Sequence, residues 1–223
     1  MGLVGEVWMI ALEVGGRRVH VSIGAHACQL ATSACEAEQT ALAFVRDGLR
    51  AGERCVTLVP PAVADALCAH LGTSDIDPAD AVGSGRLVVD STDGHTVAGR
   101  QFDPYRLVAR HLTDVGSSGA TRLRILVDMD WYAGAGSSEG VLRYEAACHA
   151  ALQSCAGRMV VLAQYRYGDL LGDTVIDILR LHPLTVIAQH LRRNPNPADP
   201  VTFMARLLHR ASARNARGYV QAR

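Results

Sequence analysis

The chain contains no lysine: its 22 basic residues are all arginine, set against 22 acidic ones across 223 residues. Every chemistry that needs an ε-amine is thereby excluded, including a Walker A phosphate-binding lysine, a Schiff-base lysine and a lipoyl or biotinyl attachment site. ATP is accordingly not an expected cofactor. Aromatic residues are scarce at 5%, so the core must be aliphatic, and the 49% hydrophobic content is sufficient for one large domain. None of the six cysteines forms a CxxC pair, and six in this length is too sparse for a disulfide scaffold. No apolar run approaches the ~18 residues of a membrane span, and Met1 to Glu13 lacks the basic start and cleavage pattern of a signal peptide. A cytoplasmic protein without membrane contact is expected. A net charge of zero gives no overall attraction for nucleic acid, which is therefore not an expected partner.

What is present is an alternation of short apolar runs with helical patterns. Runs at 54–59, 86–90, 123–128, 159–164 and 184–188 are almost continuously apolar, as buried parallel strands are. Helices are expected between them. Ser33 and Glu36 form a capping box for a helix that stops at Gly52, and Pro61 opens a second that stops at Gly72. Asp103 and Pro104 open a third, to about residue 115. Ser137 and Ser138 start the helix carrying Tyr144, Glu145, Cys148 and His149, and another covers about 170–181. Segments 7–14 and 18–23 flank Gly15 and Gly16 and read as a β-hairpin. Three prolines within 194–200 mark a linker, after which Asp199 and Pro200 cap a final helix. The expected fold is α/β: a three-layer RecA-like or Rossmann-like, mostly parallel sheet with helices on both faces, an N-terminal hairpin and a C-terminal amphipathic helix. Two units are expected, an α/β domain over 1–193 whose hairpin occupies 1–23, and the linker with its helix over 194–223.

Ligands bind open parallel sheets at the carboxyl ends of the strands. The polar residues collected there are Asp90, Asp128, Asp130, Trp131, Gln164 and Tyr165. His26 and Cys28 alternate, so on an extended strand they share a face and offer one nitrogen and one sulfur ligand to a metal. Cys35, His95 and His182 are candidates to complete such a site, and spacing does not choose among them. The competing reading is a helix start with a buried cysteine and a hydrogen-bonded histidine. Asp128 and Asp130 occupy the position of a magnesium-holding acid in nucleotide hydrolases, or else cap the next loop. On the last helix Arg206, Arg210, Arg214 and Arg217 line one face, either as a solvated surface or as a docking face for an acidic partner.

In order, HAC at His26 to Cys28, AFVRDGLRAGERCVTLV, DMDW, RYE and QYRYGDLLGDTVIDILRLHP resemble the MEDS family, the methanogen/methylotroph DcmR sensory domain, over about 24–195. The resemblance implies a RecA-like domain that has lost its nucleotide-binding loop and serves signalling or transcription control. The family's ligand motifs are HxCxxY and CxYD. Here His26, Cys28 and Tyr165 are retained, while Ala31, Ala163 and Arg166 replace the tyrosine, cysteine and aspartate.

Three functions follow as expectations. The first is a non-enzymatic sensory domain with a carboxyl-edge pocket of His26, Cys28, Asp128, Trp131, Glu145 and Tyr165, binding a metal or small organic ligand and signalling to a regulatory protein through the arginine-bearing helix. The second is a ligand-free interaction module for a kinase, anti-sigma factor or sister subunit, which the altered motif positions favour. The third is a hydrolase using Asp128, Asp130 and Glu145. The hairpin edge offers a route to a homodimer.

Overall fold

A computed structural model describes residues 9–14, 16–22, 24–91, 122–129, 138–154, 158–170 and 172–221, with Ala109 and Thr113. Its centre is a seven-stranded sheet. The strands are β3 (His26–Ala31), β4 (Arg54–Val59), β5 (Leu87–Ser91), β6 (Leu123–Asp128), β7 (Met159–Arg166), β8 (Leu184–Ile187) and β9 (His190–Arg193), in the spatial order β5-β4-β6-β7-β3-β8-β9. All neighbours are parallel except β8 and β9. The first strand of the sheet is thus interior, between β7 and β8, so residues far apart in sequence meet on it. Beside this sheet β1 (Met9–Val14) and β2 (Arg17–Ser22) form the expected hairpin.

Alternate residues of each strand feed two separate cores. One face carries Cys28, Leu30, Ile125, Val127, Val161, Ala163 and Tyr165 and packs under α4 (Ser138–Ser154), α5 (Gly172–Leu181) and α6 (Pro200–Gln221). The other carries Ala27, Leu126, Val160 and Leu162 and packs under α1 (Ala34–Arg50), α2 (Pro61–Gly72) and α3 (Pro78–Gly83). The architecture is therefore the three-layer α/β one expected.

Local chemistry sets the helix ends. The Ser33 hydroxyl accepts from the Glu36 backbone N–H at 3.2 Å, but the Glu36 carboxylate turns to Thr32, taking its N–H at 2.9 Å and its hydroxyl at 2.7 Å. This replaces the reciprocal half of a capping box and is of the class of interaction that stabilises a helix start by ~1 kcal/mol. Gly52 ends α1 with φ 72°, a conformation open to glycine at little cost. Gly48, inside α1, is there for space: a Cβ would stand 2.6 Å from Cys55 Sγ and 2.7 Å from Arg124 Cδ. Asp199 accepts from the Thr202 N–H at 2.8 Å and Pro200 fills the first helical position, as expected for α6.

Some elements differ from expectation. Gly72 is the last residue of α2 and Thr73 its cap, and the segment before α5 is a 3-10 turn over Tyr167–Asp169. The short α3, capped by Asp77, and the antiparallel edge strand β9 were not anticipated. Strand β8 stops at Ile187 because Ala188 and Gln189 adopt φ 48° and 60° and turn the chain back into β9. The expected helix from Asp103 lies outside the described residues. Phe203 and Leu207 of the final helix are buried in the same core as α4.

Candidate functional site

The turn from β3 into α1 is where a nucleotide-binding fold of this class would cradle phosphate. Here it consists of Thr32 and Ser33, without glycine and too short to wrap a phosphate group. Burial works against the Glu36 charge, but the hydrogen bonds from Thr32 hold its carboxyl below the usual range. A fixed negative charge therefore occupies the helix N-terminus. Behind it Gln164 donates to the Gln29 side chain at 2.6 Å and to the Ala37 carbonyl at 2.9 Å, while Gln29 donates to Thr40 at 2.9 Å. This polar staple ties α1 down onto β3 and β7. Asp128 stands beside it, in a depression of about 120 Å³ with Glu38, Gln164 and Arg166.

The second polar centre lies on the opposite face, under α4. His26 opens β3 and therefore sits at the amino end of that strand rather than at the carboxyl edge. Its Nε2 is 2.9 Å from Glu145 Oε2, and both side chains are buried, at 1% and 0% exposure. His182, two residues before β8, enters from the neighbouring strand and places its own Nε2 3.4 Å from the same oxygen. The other carboxylate oxygen of Glu145 accepts a hydrogen bond from the Tyr165 hydroxyl. The His26 ring lies 4.1 Å from that of His182 and 5.6 Å from that of His149, one turn beyond Glu145 on α4. Cys28 is within hydrogen-bonding reach of His182 and donates to Thr185 Oγ1 at 3.6 Å.

Electrostatics separate the two nearest imidazoles. Burial, then the neighbouring His182, pushes His26 down to about 4. Burial acts the same way on His182, but Cys28 and Glu145 overcome it and hold that imidazole well above its ordinary value. Burial would raise Glu145, and His182 and His26 instead hold its carboxyl far below the usual range. Burial and the facing Glu145 keep the Tyr165 hydroxyl protonated. The centre is thus an anionic carboxylate with one charged and one neutral imidazole, closed to water.

The sequence-derived site therefore divides. His26, Cys28, Glu145 and Tyr165 share the α4 face, while Asp128 points to the α1 face, so a hydrolase that joins Asp128 to Glu145 has its two acids on opposite sides of the sheet. Trp131 and Asp130 lie outside the described residues, as does His95. Cys35 is exposed on α1 and cannot complete a site with His26. His182 does reach it. No local motif announces His182, because only the pairing of β8 with β3 brings it there.

The family model for MEDS, the MEthanogen/methylotroph, DcmR Sensory domain, matches residues 25–183. The chain belongs to the MEDS family. No curated protein sequence matches it. In this MEDS domain Cys28 is directly opposite Ala163 and Leu30 opposite Tyr165, so Cys28, Ala163 and Tyr165 lie side by side on one face. The matched span closes on Pro183, immediately after His182, and leaves α6 outside.

The thiols of the domain report its packing. Burial pushes Cys55 up to about 12 and raises Cys148 further, and both are buried, as is Cys28. Under native conditions at pH 8, a maleimide should modify exposed Cys35 within minutes and leave Cys28, Cys55 and Cys148 unmodified for hours, read by peptide mass mapping. Labelling of Cys28 at the rate of Cys35 would show the α4 face to be open.

Proposed function

We propose that this MEDS domain is a non-enzymatic sensory module whose receiving centre is the buried cluster of His26, Glu145, His182 and Tyr165, flanked by Cys28, and that it takes a small organic ligand or a metal ion there. One observation carries the reading. His26 Nδ1 and Nε2, His182 Nε2, His149 Nδ1 and Glu145 Oε2 are buried without a hydrogen bond of acceptable geometry. Three of them, His26 Nε2, His182 Nε2 and Glu145 Oε2, face one another at 2.9 and 3.4 Å in contacts off hydrogen-bond geometry. A buried polar group left unsatisfied costs ~1–3 kcal/mol, so a set this concentrated is a poor way to build a core and a suitable way to hold a guest.

The output runs through α4. That helix carries Glu145 and His149 and packs on α5 and α6, so a shift of α4 on ligand entry reaches the groove of about 360 Å³ where Asp177, Arg180 and Arg210 lie. Arg210 donates to Asp177 at 2.9 Å, whereas Arg206 is exposed one turn earlier. Arg206 and Arg210 form the face offered to an acidic regulatory protein, and Arg214 and Arg217 continue their spacing in the sequence. Ligand binding would shift the population of the α4 and α6 arrangement that this partner recognises.

The native mass of the untagged protein beside its denatured mass, with thermal shifts across a panel of metals and small metabolites, tests the reading. A bound mass or a shift that Glu145→Gln abolishes supports it. No mass difference and no shift across the panel would instead favour an interaction module without a ligand, a reading to which the alanine opposite Cys28 already lends weight.

A further inference from the structure

Three donor atoms of the buried cluster converge on one point. His26 Nε2, His182 Nε2 and Glu145 Oε2 all lie within 4.8 Å of one another, from side chains that are essentially inaccessible to solvent. Zinc holds imidazole nitrogen and carboxylate oxygen at about 2.0–2.2 Å, which places tetrahedral neighbours roughly 3.3–3.5 Å apart. Two of the separations here, 2.9 and 3.4 Å, are close to that spacing, and the two imidazole nitrogens lie within 4.8 Å of each other.

The surrounding groups point the donors inward as well. His182 Nδ1 is 2.8 Å from the Ile178 carbonyl, to which it donates, so its Nε2 is the atom directed at Glu145. The Tyr165 hydroxyl donates to the far oxygen of Glu145 and fixes the carboxylate plane. Outer contacts of this kind, from a backbone carbonyl to a ligating histidine and from a hydroxyl to a ligating carboxylate, orient metal sites generally. A bound ion would take the place of the proton on His182, so that two neutral imidazoles and one carboxylate would share a divalent charge.

We propose that His26, Glu145 and His182 bind one divalent transition-metal ion of the zinc class, with Tyr165 and the Ile178 carbonyl as positioning groups. The proposal rests on the cluster being the receiving centre and names what it receives. The donor set, two imidazoles and a carboxylate, suits zinc, iron, cobalt or nickel and is a poor match for magnesium or calcium, which prefer all-oxygen shells. Three protein ligands leave a coordination position that a small donor molecule can occupy, which gives a sensory domain a way to read that molecule through the metal.

The test uses the full chain with its tag removed, stripped by chelator and dialysed. Zinc titrated against a chromophoric chelator should bind at about one ion per chain and raise the melting temperature. Cobalt(II) should give visible d–d absorption of a low-symmetry site. Tyr165→Phe should weaken zinc binding about 10–100-fold, the usual effect of losing an outer contact, and His26→Ala and Glu145→Gln should abolish one-to-one uptake while magnesium has no effect on any form. Should the alanine variant fail to fold, the cobalt spectrum of the wild-type chain stands as an independent readout. Absence of stoichiometric zinc uptake and of cobalt absorption by the folded wild-type protein would overturn the metal assignment. If an organic molecule then shifted the wild type but not Glu145→Gln, the receiving centre would stand without its metal. Silence toward both would overturn the two readings together.

Discussion

Arg124→Met is expected to lower the unfolding free energy by about 3–5 kcal/mol, the usual result of leaving one buried charge without its partner. Arg124 is on β6, 2% exposed, under α1. Its Nε donates to the equally buried Glu53 carboxylate, its Nη1 donates to the Phe44 carbonyl at 3.1 Å, and its guanidinium lies 5.3 Å from the Phe44 ring centroid. A methionine fills the volume but answers none of these groups, and Glu53 is left with the more distant Arg122, at 3.5 Å from its other oxygen. At roughly 2–4 °C per kcal/mol for a domain of this size, the melting temperature should fall by about 6–20 °C. Glu53→Gln in the same chain removes the stranded charge, so the double variant should recover part of the loss in urea unfolding. A cost below about 1 kcal/mol for the single variant would mean that water reaches Glu53 and that the pair behaves as a surface one.

Burial on both faces made the central strands legible. Each of β4, β6 and β7 is covered by helices on both sides, so nearly every residue is apolar and the run is visible without periodicity. Strand β9 was hidden because His190 and Arg193 carry an edge strand's composition, and because its turn uses Ala188 and Gln189 at positive φ where asparagine and glycine would have given the signal. Half of the candidate site was legible for a similar reason. His26 and Cys28 are two apart on one strand, and alternation alone places them on one face. Glu145 and Tyr165 could be collected as polar residues on helix and strand, but that Tyr165 reaches Glu145 beneath the sheet depends on α4 packing over β7. His182 depends on still more, since it is 156 positions from His26 and only the order of the strands makes them neighbours. His26 lies away from the carboxyl edge because it opens β3, and only the far end of that strand meets the turn into α1.

The absence of lysine has a structural counterpart in the turn at Thr32 and Ser33. At that turn Glu36 holds a carboxylate at the start of α1, and Gln29 and Gln164 close the space behind it. The two faces remain joined by adjacent residues of β7, since Gln164 belongs to the staple on one side and Tyr165 to the His–Glu cluster on the other.

Whether that cluster exists for stability or for binding can be decided by removing it in two ways. Glu145→Ala alone should cost about 3–5 kcal/mol, because it leaves two buried imidazoles and the Tyr165 hydroxyl without the group they face. A fourfold replacement, His26→Leu, Glu145→Leu, Tyr165→Phe and His182→Leu, removes every polar partner at once and substitutes apolar groups of similar bulk. Replacing a whole buried ionic group in this manner is often neutral or stabilising by about 1–4 kcal/mol. The fourfold variant should therefore match or exceed the wild type in urea unfolding while losing all response to metal and ligand. That inversion, in which the larger change is the milder one, is the signature of polar groups retained at a cost to stability. If the fourfold variant proved as unstable as Glu145→Ala, the cluster would be a structural element that the core requires, and the argument from its unsatisfied atoms to a bound guest would lose its footing.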